Sequence, residues 1–158
     1  MNDLAFRKPD HFSEPVHGGP VAARTLLSTG AASDTGVAVD KRAVSAGKQF
    51  QGVLLTLPVE VTTMASGQSV SVVLTLQDSD ASSSGWATLA TAAALSVGTT
   101  TTTTGTARGV ARLATNLLSA KRWLRPKVVF TGSASDTGTD QTAANFQLTF
   151  MGANEEPV

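Results

Sequence analysis

The sequence predicts an all-β domain, a sandwich or barrel of about eight antiparallel strands, and three observations lead to this. The segment Ser69–Gln77 alternates apolar and polar side chains without interruption, as a strand with one buried face does. Three other stretches repeat the alternation, and turns rich in Gly, Ser, Thr and Asp separate them. No long stretch repeats apolar residues every three to four positions, as an amphipathic helix does, so βαβ units are not expected.

The composition is typical of one domain, since 158 residues with 41% hydrophobic content can bury a substantial core. The formal net charge is +0 and only 15% of the residues are charged, so neither nucleic acid nor an anionic membrane is expected as a partner. The absence of cysteine excludes disulfides, thiolate metal sites and cysteine nucleophiles. The N-terminus lacks an apolar secretory core, and no apolar run reaches the roughly 20 residues of a membrane-spanning helix.

Residues 1–20 are predicted to form an extended N-terminal arm, because prolines and a Gly-Gly pair recur there without a helix or strand period. Phe6 and Phe12 are apolar anchors unusual for a free tail, with Arg7 and Lys8 as polar flanks. Two interpretations remain open at this point. The anchors pack either on the sandwich of their own chain or on a neighbouring subunit.

The domain itself is assigned to residues 21–153, and residues 154–158 form an acidic C-terminal tail. Pro58 lies in a predicted strand and favours an edge position or a bulge there, because proline cannot donate to a β-ladder. The predicted elements of the first half are short strands at Arg24–Ser28 and Val37–Asp40, a turn at Gly30–Gly36, a polar connection at Lys41–Lys48, and a long strand at Val53–Val61.

The second half continues the strand pattern, with Pro126 again favouring an edge or a bulge. The threonine run Thr99–Thr104 is of low complexity and receives no function. Strands are predicted at Trp86–Ala90, Ala107–Leu113, Trp123–Thr131 and Ala144–Met151, with a single helical turn at Asn116–Ala120. Strict alternation predicts as core residues Val70, Val72, Leu74, Leu76, Phe146, Leu148 and Phe150.

Residues typical of catalysis or metal binding are few. His11 and His17 lie in the arm without evident ligand partners, and Asp78 with Asp80 lacks the further oxygens of a calcium loop, so we interpret both aspartates as solvated turn residues. With two histidines, no cysteine and no tyrosine, we expect neither an enzyme nor a cofactor. The similar segments 30–36 and 132–138 are interpreted as two turns of the same chemistry.

The two tryptophans, Trp86 and Trp123, allow two interpretations. Each begins a predicted strand, where a tryptophan usually covers the rim of the core. If exposed, the same rings would stack on sugars, which would make the domain a carbohydrate-binding module.

The charges are unevenly distributed, because no acidic residue occurs between Asp80 and Asp136. This interval is either a solvated basic face or a patch that meets an acidic partner. Its basic residues are Arg108, Arg112, Lys121, Arg122, Arg125 and Lys127.

Three segments together resemble small β-sandwich structural proteins of tailed bacteriophages: Leu74–Asp80, Gly85–Leu89 and Ala120–Gly132. In that group a strand ends in Gln-x-Ser-Asp before a Trp, and a later Lys/Arg-aromatic-apolar-Arg strand runs into Thr-Gly. Many members are capsid decoration, or cement, proteins with jelly-roll-like folds. The resemblance covers roughly residues 50 to 152, and Pro126 departs from the apolar β-branched residue usual at its position.

The resemblance implies a single jelly-roll-like β-sandwich that binds the outer surface of a phage capsid without a cofactor. Its partners would be the major capsid protein and further copies of itself, with a trimer favoured by analogy. A tail or baseplate component is the alternative within virions. The expected capsid or subunit interface comprises Phe6, Arg7, Lys8, Phe12, Arg108, Arg112, Lys121, Arg122 and Arg125.

Overall fold

A computed structural model describes residues 13–18, 31–45, 48–64, 69–98, 105–132, 142–143 and 146–155, and most of them are in strands. No helix in these ranges is long and apolar enough to cross a membrane. The elements are β1 Ser13–His17, β2 Ala31–Thr35, β3 Val39–Asp40, α1 Lys41–Ser45, β4 Lys48–Met64, β5 Ser69–Ser79, β6 Ala87–Thr91, β7 Leu95–Gly98, β8 Gly105–Asn116, β9 Trp123–Gly132, β10 Thr142–Ala143 and β11 Gln147–Glu155.

The strands form two antiparallel sheets. The first sheet has the order β1-β11-β4-β8, with β10 pairing with β4 beyond the start of β11. The second sheet has β9 and β5 at its centre, with β2 and β3 along one side and β6 and β7 along the other. Three strands are each interrupted once, as β2 with β3, β6 with β7, and β10 with β11. If each such pair is counted as one strand, both sheets have four strands. The chain then passes from one sheet to the other at every connection except that from β5 to β6. This connectivity is a jelly-roll β-sandwich, as the resemblance implied.

Strand alternation sets the core. Along β5 the even-numbered residues from Val70 to Leu76 are at most 3% exposed, whereas their odd-numbered neighbours are half-buried on the outer face. All seven predicted core residues are buried, Phe146, Leu148 and Phe150 completely. Burying such a side chain contributes about 1.5–3 kcal/mol, so the filled space between the sheets is the main stabilising feature.

Several local predictions were wrong. The segment predicted as a turn at Gly30–Gly36 contains β2, which pairs with β9 from Ala31↔Thr131 to Thr35↔Lys127. Its small polar residues have little strand propensity, but β9 supplies a complete ladder for them. The connection predicted at Lys41–Lys48 begins with α1, whose first turn is capped because Asp40 Oδ1 accepts the Arg42 N–H at 2.9 Å.

Other boundaries differ less. β11 continues through Glu155, which lies opposite Lys48, so strand pairing extends into the segment expected as a tail. The turn at Asn116–Ala120 is a single one closed by Ala120 N–H donating to Leu117 O at 3.2 Å. Strand β7 was not predicted, and Arg24–Ser28 lies outside the described residues.

Both strand prolines lie in central strands rather than at edges, each where a neighbouring ladder is interrupted. From Thr56↔Gln147 to Val59↔Ala143, β4 advances three residues while its partner advances four. The break between β2 and β3 opposite Pro126 has the same offset of one residue, from Thr35↔Lys127 to Val39↔Leu124. The edge alternative is therefore wrong, because β4 and β9 are paired on both sides. A ladder that is already broken tolerates the missing proline N–H.

Beside Pro126, at the break between β2 and β3, backbone hydrogen bonds connect the two sheets. Gly18 N–H donates to Phe146 O at 2.8 Å, Val37 N–H donates to Gly18 O at 2.9 Å, and Gly36 N–H donates to Pro126 O at 2.9 Å. Residues 13–18 of the expected arm are thus part of this chain's own sandwich, through β1 and this junction. A Cβ at Gly36 would overlap Gly18 O and lie 2.6 Å from Pro126 Cγ, so the contact depends on glycine.

Candidate functional site

The five basic residues predicted as an interface lie on two separate surfaces. Arg108 and Arg112 project from β8 on the outer face of the first sheet. Lys121, Arg122 and Arg125 lie at and before the start of β9, in the second sheet. The four predicted arm residues, Phe6, Arg7, Lys8 and Phe12, are outside the described part of the chain.

On the first sheet, Arg108 forms a cross-strand ion pair with Glu60, its register partner on β4. The Arg108 side chain is 75% exposed, so this pair contributes at most about 1 kcal/mol. Arg112 is exposed and lies opposite Thr56. Val110 projects between the two arginines and is 45% exposed.

At the start of β9, Lys121 is tied to the end of β5. Its backbone N–H donates to Asp78 Oδ2 at 2.9 Å, and its Nζ lies 3.2 Å from Asp80 Oδ2. Asp78 is 6% exposed, so the interpretation of both aspartates as solvated turn residues holds only for Asp80. Lys41 lies close by and donates through Nζ to Ala120 O at 2.7 Å; burial lowers its pKa, and the charge of Asp78 acts in the opposite direction.

Arg122 is held by the residue that precedes α1. Its Nη2 lies 2.6 Å from Asp40 Oδ2, and its Nε donates to both carboxylate oxygens at 3.1 and 3.2 Å. These hydrogen bonds lower the pKa of the Asp40 carboxyl and raise the pKa of Arg122. The Arg122 charge is thus already compensated within the chain.

Arg125 is different, because its partner is neutral. Its Nε and Nη2 both donate to Gln77 Oε1, at 3.2 and 2.7 Å, and its Cζ lies 4.3 Å from the centre of the Trp86 ring. Burial lowers the pKa of the guanidinium from its ordinary value, as expected when a cation loses water without gaining an anion. No carboxylate of the described residues lies within ion-pair distance of Arg125.

Both tryptophans lie at the rim of the second sheet. Trp86 is half-buried with one face under Arg125, and its Nε1 is buried without a hydrogen-bond partner among the described residues. Trp123 is half-buried, with the Arg122 guanidinium 5.3 Å from its ring centre. Trp123 belongs to the outward row of β9, and Trp86 packs against Arg125 of the same row. Neither ring packs against the core, so the core-rim interpretation is wrong, and only part of each ring is open.

The sequence did not predict the cluster of Trp86, Gln77 and Arg125. Alternation along β9 already indicated that Arg125 and Lys127 point away from the core. The pairing of β9 with β5, which places Gln77 opposite Arg125, could not be inferred from the sequence. In the described ranges, no three His, Asp or Glu side chains come together as a metal ion would require.

The chain matches no protein-family model and no curated protein. The solved structures to which it is similar include three of viral origin. In the infectious bursal disease virus VP2 subviral particle the aligned chain is 15% identical, with a TM-score of 0.46, and the alignment covers 87% of this chain and 31% of that one. For the Gx strain of the same virus the values are 12%, 0.44, 87% and 31%. This chain therefore spans about a third of the length of those two. For Desmodium yellow mottle tymovirus, the identity is 16%, the TM-score 0.40, and the coverage 99% and 95%.

Proposed function

We propose that this protein has a structural role in a virion. The jelly-roll connectivity supports the proposal, because this architecture is used in viral capsids as well as in lectins and cupins. Phe, Leu and Val side chains fill the interior between the sheets, so the outer faces, edges and loops are the surfaces left for binding. A rigid sandwich that binds through its outside fits an assembly component.

More specifically, we propose a head decoration protein that binds the outer surface of a tailed-phage capsid as a homotrimer. The observation that carries this is where the segments of the phage resemblance lie. Leu74–Asp80 and Gly85–Leu89 belong to β5, its following loop and β6, and Ala120–Gly132 contains β9, the neighbour of β5. The resemblance therefore concerns one continuous surface, on which Gln77, Trp86 and Arg125 meet.

The test is whether the purified protein adds to expanded, undecorated heads of the same virion. We expect it to co-sediment with heads at saturating stoichiometry, raise the temperature at which they disassemble, and show three times the monomer mass in light scattering. Isolated tails serve as the comparison. Addition to tails and not heads would favour a tail or baseplate component, and binding to neither would refute the virion role.

The N-terminal arm can be tested by two deletions of different length. Deleting residues 1–12 leaves β1 and the Gly18 junction intact, so we expect an unchanged melting temperature together with at least tenfold weaker attachment to heads. Deleting residues 1–18 should instead lower the melting temperature, because it removes β1 from the first sheet and Gly18 from the core. Full attachment of the shorter deletion would show that the arm is passive.

A further inference from the structure

The basic residues between Asp80 and Asp136 are of two kinds: some form an ion pair with an acidic residue of this chain, and the others do not. Arg108, Lys121 and Arg122 each have an acidic partner. Arg112, on the first sheet, has none among the described residues, and neither do Arg125 and Lys127. Arg125 and Lys127 are successive outward-facing residues of β9, because Leu124, Pro126 and Val128 between and beside them are buried. The uncompensated positive charge of the second sheet is therefore concentrated at its centre.

The neighbours of these two cations are neutral. Lys127 lies opposite Thr75 of β5 and Thr35 of β2, and Arg125 lies opposite Gln77. A carboxylate placed here would meet cations, hydroxyls and an amide. Charge-assisted hydrogen bonds of this type are roughly twice as strong as neutral ones. The aspartates of the adjoining strands, Asp34 and Asp78, lie opposite the inward-facing Val128 and Leu124 and so belong to the other face of the sheet.

Arg125 is also held in place before any partner arrives. The stacking on Trp86 and the two bonds to Gln77 have already restricted its rotamers, so an incoming carboxylate would not have to order a free side chain. A partly desolvated guanidinium without an anion gains most from such a partner. Tryptophan and arginine are moreover the residues that most often dominate protein interfaces.

We propose that the outer face of the second sheet around Arg125 and Lys127 receives the carboxylates of an acidic segment of a partner protein. This rests on the proposed function, in which that partner is the capsid protein. A protein carboxylate fits better than a sugar ring, because one face of Trp86 is already covered by Arg125 and the indole N–H is buried. This surface would recognise negative charge, and the Trp86 ring serves mainly to hold Arg125.

The first experiment compares two double variants that remove the same charge. Arg125→Gln with Lys127→Gln should weaken attachment to heads on the order of tenfold, whereas Arg108→Gln with Arg112→Gln, on the other sheet, should change it about twofold or less. Arg125→Lys should fall between, since it keeps the charge and loses the planar fork. Attachment should also weaken with added salt. Equal effects of the two double variants at matched melting temperature would refute the proposal.

The second experiment needs no heads. Hexaglutamate should change the tryptophan emission of the wild-type protein at low salt, hexaglutamine should not, and the Arg125/Lys127 double variant should not respond. A response to hexaglutamate without attachment to heads would refute the proposed function and leave this surface supported. Absence of any response, or tighter binding of a polygalacturonate oligomer than of hexaglutamate, would overturn the inference, the latter in favour of an acidic-glycan site.

Discussion

Leu74→Ala is expected to lower the free energy of unfolding by about 2–5 kcal/mol, because the substitution leaves a cavity at a completely buried position of a central strand. Leu74 lies opposite Val128 of β9, in the layer that both sheets share. For a domain of this size the loss corresponds to a melting temperature lower by roughly 4–20 °C. Denaturant unfolding monitored by circular dichroism measures the free energy, and a thermal melt measures the melting temperature.

Val73→Ala is the matched control, since Val73 adjoins Leu74 but points to the outer face and is half-buried. We expect it to cost about 1 kcal/mol or less. If both substitutions cost the same, the register of β5 would have to be wrong. A one-residue shift exchanges the two faces of a strand, so this pair of variants is sensitive to register.

Gly36→Ala is expected to cost about 3 kcal/mol, although it adds a single methyl group. The new Cβ would overlap Gly18 O and lie 2.6 Å from Pro126 Cγ and 2.9 Å from Phe146 Cδ2. The backbone at Gly18 cannot rotate out of the way as the end of a side chain can. The segment that follows β1 and the segment between β2 and β3 must therefore move apart. Separation strains the hydrogen bonds from Val37 to Gly18 and from Gly36 to Pro126, each worth about 1 kcal/mol, beyond the usual cost of overpacking.

Gly109→Ala provides the comparison, because the atoms nearest its new Cβ belong to side chains, Val97 Cγ2 at 3.0 Å and Leu95 Cδ2 at 3.1 Å. Side chains yield more readily than backbone, so the cost should be smaller than for Gly36→Ala, about 1 kcal/mol. Gly18 and Gly36 touch, and the double alanine variant should therefore cost less than the sum of the single ones. Additive costs would mean that the two glycines do not share one contact.

The junction at Gly18 and Gly36 also determines which truncations are informative. A deletion that reaches Gly18 removes a hydrogen-bonded link between the sheets, and any loss of binding would then reflect unfolding. A deletion that ends at residue 12 avoids this. Residues 1–12 and the Arg125 surface are independent proposals for attachment, and the two sets of variants test them separately.

The long strands and their buried faces could be predicted from the sequence. Alternation along Ser69–Gln77, Val53–Val61 and Trp123–Thr131 is a local property, because each side chain's face follows from its position in the strand. The core list and the all-β class followed from it. The same rule placed Arg125 on an outer face.

Only the tertiary structure decided which strands are neighbours, and the pairs that define the candidate site depend on this. Gln77 and Arg125 are 48 residues apart, and Asp40 and Arg122 are 82 apart. No local pattern encodes such pairings, since they arise when two sheets close over a shared core. For the same reason Ala31–Thr35 looked like a turn, because its strand conformation is imposed by the ladder of β9 and not by its own residues. The basic interval looked like a single patch for a related reason. Three of its basic residues form ion pairs with Asp40, Glu60 and Asp80, which are distant in the sequence and come close only in the folded chain.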